Sequence, residues 1–139
     1  MKDLTQYLYE AVGNDSKVFV VLKPGSLDLG QTVIKRFGKA GWIVDRTTTK
    51  QLLLSEAKQL YKVHKKEDFY NDLCKYMSSD QCRAFIFKKS NSLDPFGEVK
   101  KIKDEIREKY GESDMRNVLH SSDSQEAMDK EASIFFQVW

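Results

Sequence analysis

Five apolar residues stand in succession in the segment Lys17-Val-Phe-Val-Val-Leu22. This run constrains the fold more than any other part of the chain. A strand with one wet face alternates apolar and polar residues, whereas this one leaves no polar face, so it reads as a buried central strand. Lys23-Pro24-Gly25 bounds it on the carboxyl side. Two further segments are rich in β-branched and aromatic residues: Trp42-Ile-Val-Asp-Arg-Thr-Thr-Thr49 and Cys82-Arg-Ala-Phe-Ile-Phe87. Residues 116–120 are long enough for a short fourth strand.

Helical spacing fills the intervals. Leu29, Val33, Ile34 and Phe37 make an amphipathic helix over 28–39, stopped by Gly41. Ser55 is placed to cap a helix carrying Ala57, Leu60 and Tyr61, with His64 near its end. Asp68 precedes another helix, with Phe69, Tyr70, Leu73, Cys74 and Met77 on one side. Asp94-Pro95 opens a longer helix with proline at its favoured first position. Phe96, Val99, Ile102, Ile106 and Tyr110 form its apolar stripe, and Gly111 ends it. Asp123 and Glu126 have capping-box spacing for a last helix through about residue 130, after which Phe135-Phe136 is expected to pack back on the core. Leu4, Tyr7, Leu8 and Val12 suggest a short helix at the N-terminus. Strands interleaved with helices argue for one mixed sheet with helices packed on it, an α/β arrangement. No internal repeat or linker tract interrupts the pattern.

At 139 residues the chain builds one core and has no room for two of ordinary size. Its 23 basic and 21 acidic residues leave a net charge of +2. Nucleic-acid binders carry a larger, clustered excess, so bulk charge gives no such argument. Cys74 and Cys82 have neither metal nor redox spacing and read as reduced, partly buried thiols. The N-terminus lacks a secretory pattern, and no apolar run is long enough to cross a bilayer. The expected location is cytoplasmic.

Chemistry narrows to a few residues. Of the two histidines, His64 sits among lysines and reads as an ordinary surface residue. His120 lies in Arg116-Asn-Val-Leu-His-Ser-Ser-Asp-Ser124, at the junction of a short strand and a capped helix. It can project into a cleft, although semi-buried histidines are commonly structural. Lys23 follows a buried strand, where ligand groups in α/β sheets often sit. Lys100, Lys103 and Arg107 fall along one edge of the apolar stripe of the 95–110 helix. Such an edge can hold phosphate. It can equally be a solvated face interlaced with Asp104, Glu105 and Glu108.

Taken in order, these residues resemble the nucleoside diphosphate kinase family. Asn117-Val-Leu-His120-Ser-Ser-Asp-Ser124 is similar to its histidine signature, N-x-x-H-G-S-D-S. Val20-Val-Leu-Lys23-Pro24 resembles its first strand and lysine. Phe69-Tyr-x-x-Leu-x-Lys-Tyr-Met77 resembles its helical cap over the nucleotide. The likeness spans roughly residues 17–136. It implies an α+β sandwich with the ferredoxin-like order βαββαβ, an antiparallel four-stranded sheet covered by helices. It also implies a single domain over 17–139, preceded by an extension over 1–16. The implied reaction passes the γ-phosphate of a nucleoside triphosphate to a nucleoside diphosphate through a phosphohistidine. In that reading His120 is the nucleophile and Glu131 the carboxylate on its other ring nitrogen. Lys23 and Arg107 bind phosphate, and Lys103 stands where the family carries a second arginine. Tyr61 lies near the reacting phosphate, Asn117 binds the sugar and Phe69 stacks on the base. Magnesium would come held mainly by the nucleotide phosphates. The partners are nucleoside tri- and diphosphates, with a homo-oligomer, a dimer at least; no membrane or nucleic acid is expected.

The departures are specific. Gly25 stands where the family usually has Asp, and Ser121 where it has Gly. The long loop that the family normally has between the positions matching Lys103 and Arg107 is missing, so these two residues fall within one helical turn. Its loss argues against the hexamer and motivates a rival reading, a catalytically weak nucleotide-binding or scaffold domain. A third reading, an RNA-binding sheet, rests on Arg83-Ala-Phe-Ile-Phe87 as an aromatic contact strand.

Overall fold

Strand β1 (Asp15–Leu22) lies inside the sheet, as its unbroken apolar run requires. It is followed by helix α1 (Gly30–Lys39), strand β2 (Ile43–Lys50), helices α2 (Leu54–Leu60) and α3 (Tyr70–Met77), and strand β3 (Cys82–Ser90). Helix α4 (Pro95–Tyr110), strand β4 (Leu119–Ser121) and helix α5 (Gln125–Ala132) complete the order. The computed structural model describes residues 15–139. The helix expected around Leu4, Tyr7, Leu8 and Val12 lies outside the described residues.

The strands run in the spatial order β2-β3-β1-β4, and every neighbouring pair is antiparallel. The sheet expected from the pattern of elements as mixed is therefore purely antiparallel. β3 inserts between β1 and β2, which are not themselves paired. The ferredoxin-like α+β order implied by the resemblance is the one found.

Register explains the apolar run. Val18 pairs with Phe87 and Val20 with Phe85, while Phe19 pairs with Ile86 and Val21 with Ala84. Alternate residues therefore enter opposite layers. Val18, Val20, Leu22, Phe85 and Phe87 meet Val33 and Phe37 of α1 and Val99, Ile102 and Ile106 of α4. Phe19, Val21, Ala84 and Ile86 meet Ala57 and Leu60 of α2, Leu73 and Met77 of α3, and Met128 and Ala132 of α5. Both sheet faces are thus covered by helices. Phe136 closes the second layer, and Phe135 packs 5.7 Å from Phe19, centroid to centroid. Phe85 and Phe87 are fully buried, so the strand that suggested an RNA-binding face has no aromatic surface for bases. Cys74 and Cys82 are free and buried.

Local boundaries differ where caps compete. Ser55 lies inside α2, which starts at Leu54; the Glu56 carboxylate accepts from the Leu53 N–H at 2.9 Å and closes the first turn. The last helix is capped by Ser124, whose Oγ accepts from the Ala127 N–H at 3.1 Å, rather than by Asp123. Asp94 and Pro95 open α4 as expected, with the Asp94 carboxylate accepting from the Gly97 N–H.

Candidate active site

The end of β1 delivers Lys23 into the interior. Pro24 and Gly25 then reverse the chain in a turn closed by the Ser26 N–H to the Lys23 carbonyl at 3.0 Å, with Gly25 at φ 87°. Proline followed by a residue at positive φ is the pattern of a type II turn. The turn leaves the Lys23 side chain only 3% exposed. Its ammonium donates to Asn117 Oδ1 at 2.7 Å and to the Met115 carbonyl at 3.2 Å. Burial, reinforced by the neighbouring charges of Arg107 and Lys103, pulls its pKa down to about 7. At neutral pH this ammonium is therefore only partly charged. An anion placed against it would restore the proton.

β4 begins after a tight turn. The Leu119 N–H donates to the Asn117 carbonyl at 3.0 Å across Val118, whose φ is 79°. Such a γ-turn is strained for a β-branched residue. It persists because Val118 is buried in the α1/α4 layer and its carbonyl accepts from the Lys23 N–H at 2.8 Å. Asn117 in turn donates through Nδ2 to the Asp114 carbonyl at 2.8 Å. Lys23, the 114–117 loop and the start of β4 are thereby tied together.

His120 sits in β4 opposite Val21 and projects into the layer of α2, α3 and α5. Its Nε2 meets Glu131 Oε1, carried by α5. Nδ1 is then the ring nitrogen left to the cavity. Burial pushes the imidazole below its ordinary pKa, against the opposing hydrogen bond and charge of Glu131. Lys23 and Lys103 add to the depression. The ring is therefore neutral at pH 7, with a usable lone pair. The Tyr61 ring meets it edge-on at 5.2 Å. Its phenol is buried without a hydrogen-bond partner, and burial raises its pKa well above the usual value, so it remains an O–H donor.

Cations enter from α4. Arg107 donates through Nη2 to the Leu119 carbonyl at 2.7 Å, on the free edge of β4, and its Nε is buried and unpaired. Lys103, one turn earlier, is drawn below its ordinary pKa by burial and then by Arg107. Lys100 instead pairs with Asp104 at 2.9 Å on the exposed side. The basic edge expected on this helix is thus divided: two cations face the cavity and one faces water.

Lys23, Tyr61, Phe69, Lys103, Arg107, Asn117, His120 and Glu131 all line one cavity of about 990 Å³. Phe69 stands just before α3 with 45% of its surface exposed. His64, read from the sequence as a surface residue, is half-buried and lines the same cavity. Its ring lies 5.5 Å from Phe69 and 6.5 Å from Tyr61. These rings form a ladder from His120 to Phe69. The separation of three residues between Tyr61 and His64 held a signal for this, obscured by the flanking lysines. Ser121 also lines the cavity.

Among the described residues no group of three or more His, Cys, Asp or Glu is placed to hold a metal ion. No helix among them is long and apolar enough to cross a membrane. A site of cations, hydroxyls and an exposed aromatic ring, Phe69, suits a polyphosphate carrying an aromatic base.

Known proteins give the same direction. The family model described as nucleoside diphosphate kinase matches residues 16–138. The nucleoside diphosphate kinase of Hyperthermus butylicus is 30% identical over 129 residues, covering 86% of this chain and 91% of its own. That of Kosmotoga olearia is 31% identical over 130 residues, covering 86% and 88%. The Aquifex aeolicus nucleoside diphosphate kinase structure superposes with a TM-score of 0.77 at 22% identity, over 88% of this chain and 96% of that one. The Encephalitozoon cuniculi enzyme gives 0.78 at 20% identity, over 86% and 88%.

Proposed function

Because the chain belongs to the nucleoside diphosphate kinase family, we propose that it moves the γ-phosphate of a nucleoside triphosphate to a nucleoside diphosphate through phosphorylated His120. The observation that carries this reading is the His120–Glu131 pair facing a cavity that also holds Lys23, Lys103 and Arg107. Glu131 holds the proton on Nε2, so Nδ1 is the nucleophile. As the bond from Nδ1 to phosphorus forms, the bond to the bridging oxygen breaks and its electron pair leaves on the nucleoside diphosphate. The imidazolium that results keeps its Nε2 proton against the Glu131 carboxylate. A second nucleoside diphosphate reverses the step and regenerates the neutral ring.

Phosphoryl transfer asks the protein chiefly for position and positive charge. Lys23 and Arg107 bind the phosphates, with Lys103 beside them, and Tyr61 donates from its buried hydroxyl. Asn117, anchored between Lys23 and the Asp114 carbonyl, binds the sugar. Phe69 stacks on the base. Magnesium would enter with the nucleotide, held mainly by its phosphates rather than by a carboxylate cluster of the described residues, and would supply charge neutralisation. The domain expected over 17–139, which β1 extends back to Asp15, acts as one catalytic unit preceded by an extension, in the cytoplasm and as a homo-oligomer, a dimer at least.

Incubation with γ-labelled ATP tests the reading. Label is expected on the protein, acid-labile and base-stable, and absent in His120→Ala. The uninterrupted α4, with Lys103 and Arg107 one turn apart, favours a second reading as a weak or inactive nucleotide-binding domain. ADP binding by calorimetry without label uptake would decide for that reading.

A further inference from the structure

Ser121 follows the nucleophile in β4, is 6% exposed and lines the cavity. Successive strand residues point to opposite faces, so His120 and Ser121 diverge. Ser121 pairs with Val20, which belongs to the layer of α4, and it therefore faces the helix that carries Lys103 and Arg107. β4 is an edge strand with no strand beyond it. The cavity consequently wraps around its free edge and touches both residues. The Arg107 guanidinium is fixed on that edge at the Leu119 carbonyl, one residue before His120. Among the described residues the Ser121 hydroxyl makes no side-chain hydrogen bond. It is a nearly buried polar group that lines the same cavity as His120, Lys103 and Arg107. Such a group gains most when a ligand supplies the missing partner.

We propose that the Ser121 hydroxyl donates a hydrogen bond to an oxygen of the phosphoryl group while it passes to His120, which makes Ser121 a further catalytic residue. The inference rests on the proposed kinase reaction. The hydroxyl keeps its own proton throughout; the bonds exchanged are those between nitrogen, phosphorus and the bridging oxygen. Tyr61 already supplies a neutral donor from the α2 side, and Ser121 supplies one from the opposite side. The three outer oxygens of the transferring group are then met by charge and by hydroxyls together. A hydrogen bond to a charged group of this kind corresponds to roughly a tenfold to hundredfold change in rate.

The test compares full-length wild type, Ser121→Ala and Ser121→Gly in single-turnover phosphorylation by γ-labelled ATP with magnesium. ADP affinity is measured by calorimetry and folding is checked by thermal unfolding. ADP lacks the transferring group, so its affinity is expected to stay within about twofold in both variants, while phosphohistidine formation slows at least about tenfold in both. Wild-type rates in both variants would overturn the inference and leave the kinase reading standing. So would a slow Ala with a fast Gly, which would point to bulk rather than to the hydroxyl. A loss of ADP affinity at an unchanged rate would also overturn it. No phosphorylation of wild type would instead overturn the kinase reading, and this inference with it.

Discussion

As the proposed nucleophile His120 has to be neutral, and its surroundings favour that form. Burial lowers its pKa below the ordinary imidazole value while Glu131 holds the opposite nitrogen. The rate of phosphohistidine formation is therefore expected to be flat above neutral pH. It should fall only below the usual imidazole range of about 6.5, as quenched-flow labelling across pH would show. Glu131→Gln keeps the shape but removes the charge opposing the developing imidazolium, and should slow the same step by roughly tenfold to hundredfold. Lys23 gives a different signature. With its pKa at about 7, it is largely uncharged at pH 8 without bound anion. Nucleotide binding at pH 8 should then draw a proton from buffer, visible as a dependence of calorimetric heat on buffer ionisation enthalpy and lost in Lys23→Gln. At this scale the histidine signature and Lys23-Pro24 were legible as residue types in order. His64 and Ser121 were not, because their part depends on which way a turn and an edge strand face.

Among the elements, α4 and α5 carry three of the eight candidate site residues, Lys103, Arg107 and Glu131. α4 runs without a break from Pro95 to Tyr110, so Lys103 and Arg107 are held by helical geometry rather than by a loop. α5 has to hold Glu131 against β4, and its first turn depends on the Ser124 hydroxyl. Ser124→Ala should cost about 1 kcal/mol of stability in denaturant titration. Asp123→Ala should cost less, since its side chain does not cap the helix. The capping pattern was visible in the sequence, but one residue out of place. Two neighbouring residues both suit the role, and only the extended φ/ψ of Ser124 selects between them. The γ-turn at Val118 carries no sequence signal at all, since a valine at positive φ contradicts its own preference.

For the whole molecule, the sheet buries both faces, and the α1 side does so through stacked aromatics. Phe37 and Phe87 lie parallel with centroids 4.3 Å apart, both fully buried. Phe37→Ala should cost roughly 3–5 kcal/mol in equilibrium unfolding, without displacing any cavity residue. Lys23 couples the site to global stability. Its pKa is about 7 when folded and near 10.5 when unfolded, so between these values the unfolded chain binds more protons. Its desolvated charge therefore costs stability below pH 7, and the cost is relieved as pH rises. The unfolding free energy of wild type minus that of Lys23→Met should grow from pH 7 to about pH 9. The buried thiols and Tyr61, whose pKa values are raised, act in the opposite sense above that range but cancel in the difference.

The order of elements, the central place of β1 and the choice of the proposed reactive residues follow from the sequence itself. Hydrophobic periodicity, caps and a spaced motif are local properties of the chain. The strand order is not local. That β3 enters between β1 and β2, making the sheet antiparallel throughout, is a matter of how two layers of side chains close over the faces of β1. The cavity belongs to the same class. Its lining comes from the end of β1 at Lys23, α2 and the turn after it, α3, α4, the loop before β4, β4 and α5, and only their packing around the free edge of β4 turns separate cations, rings and histidines into a single site.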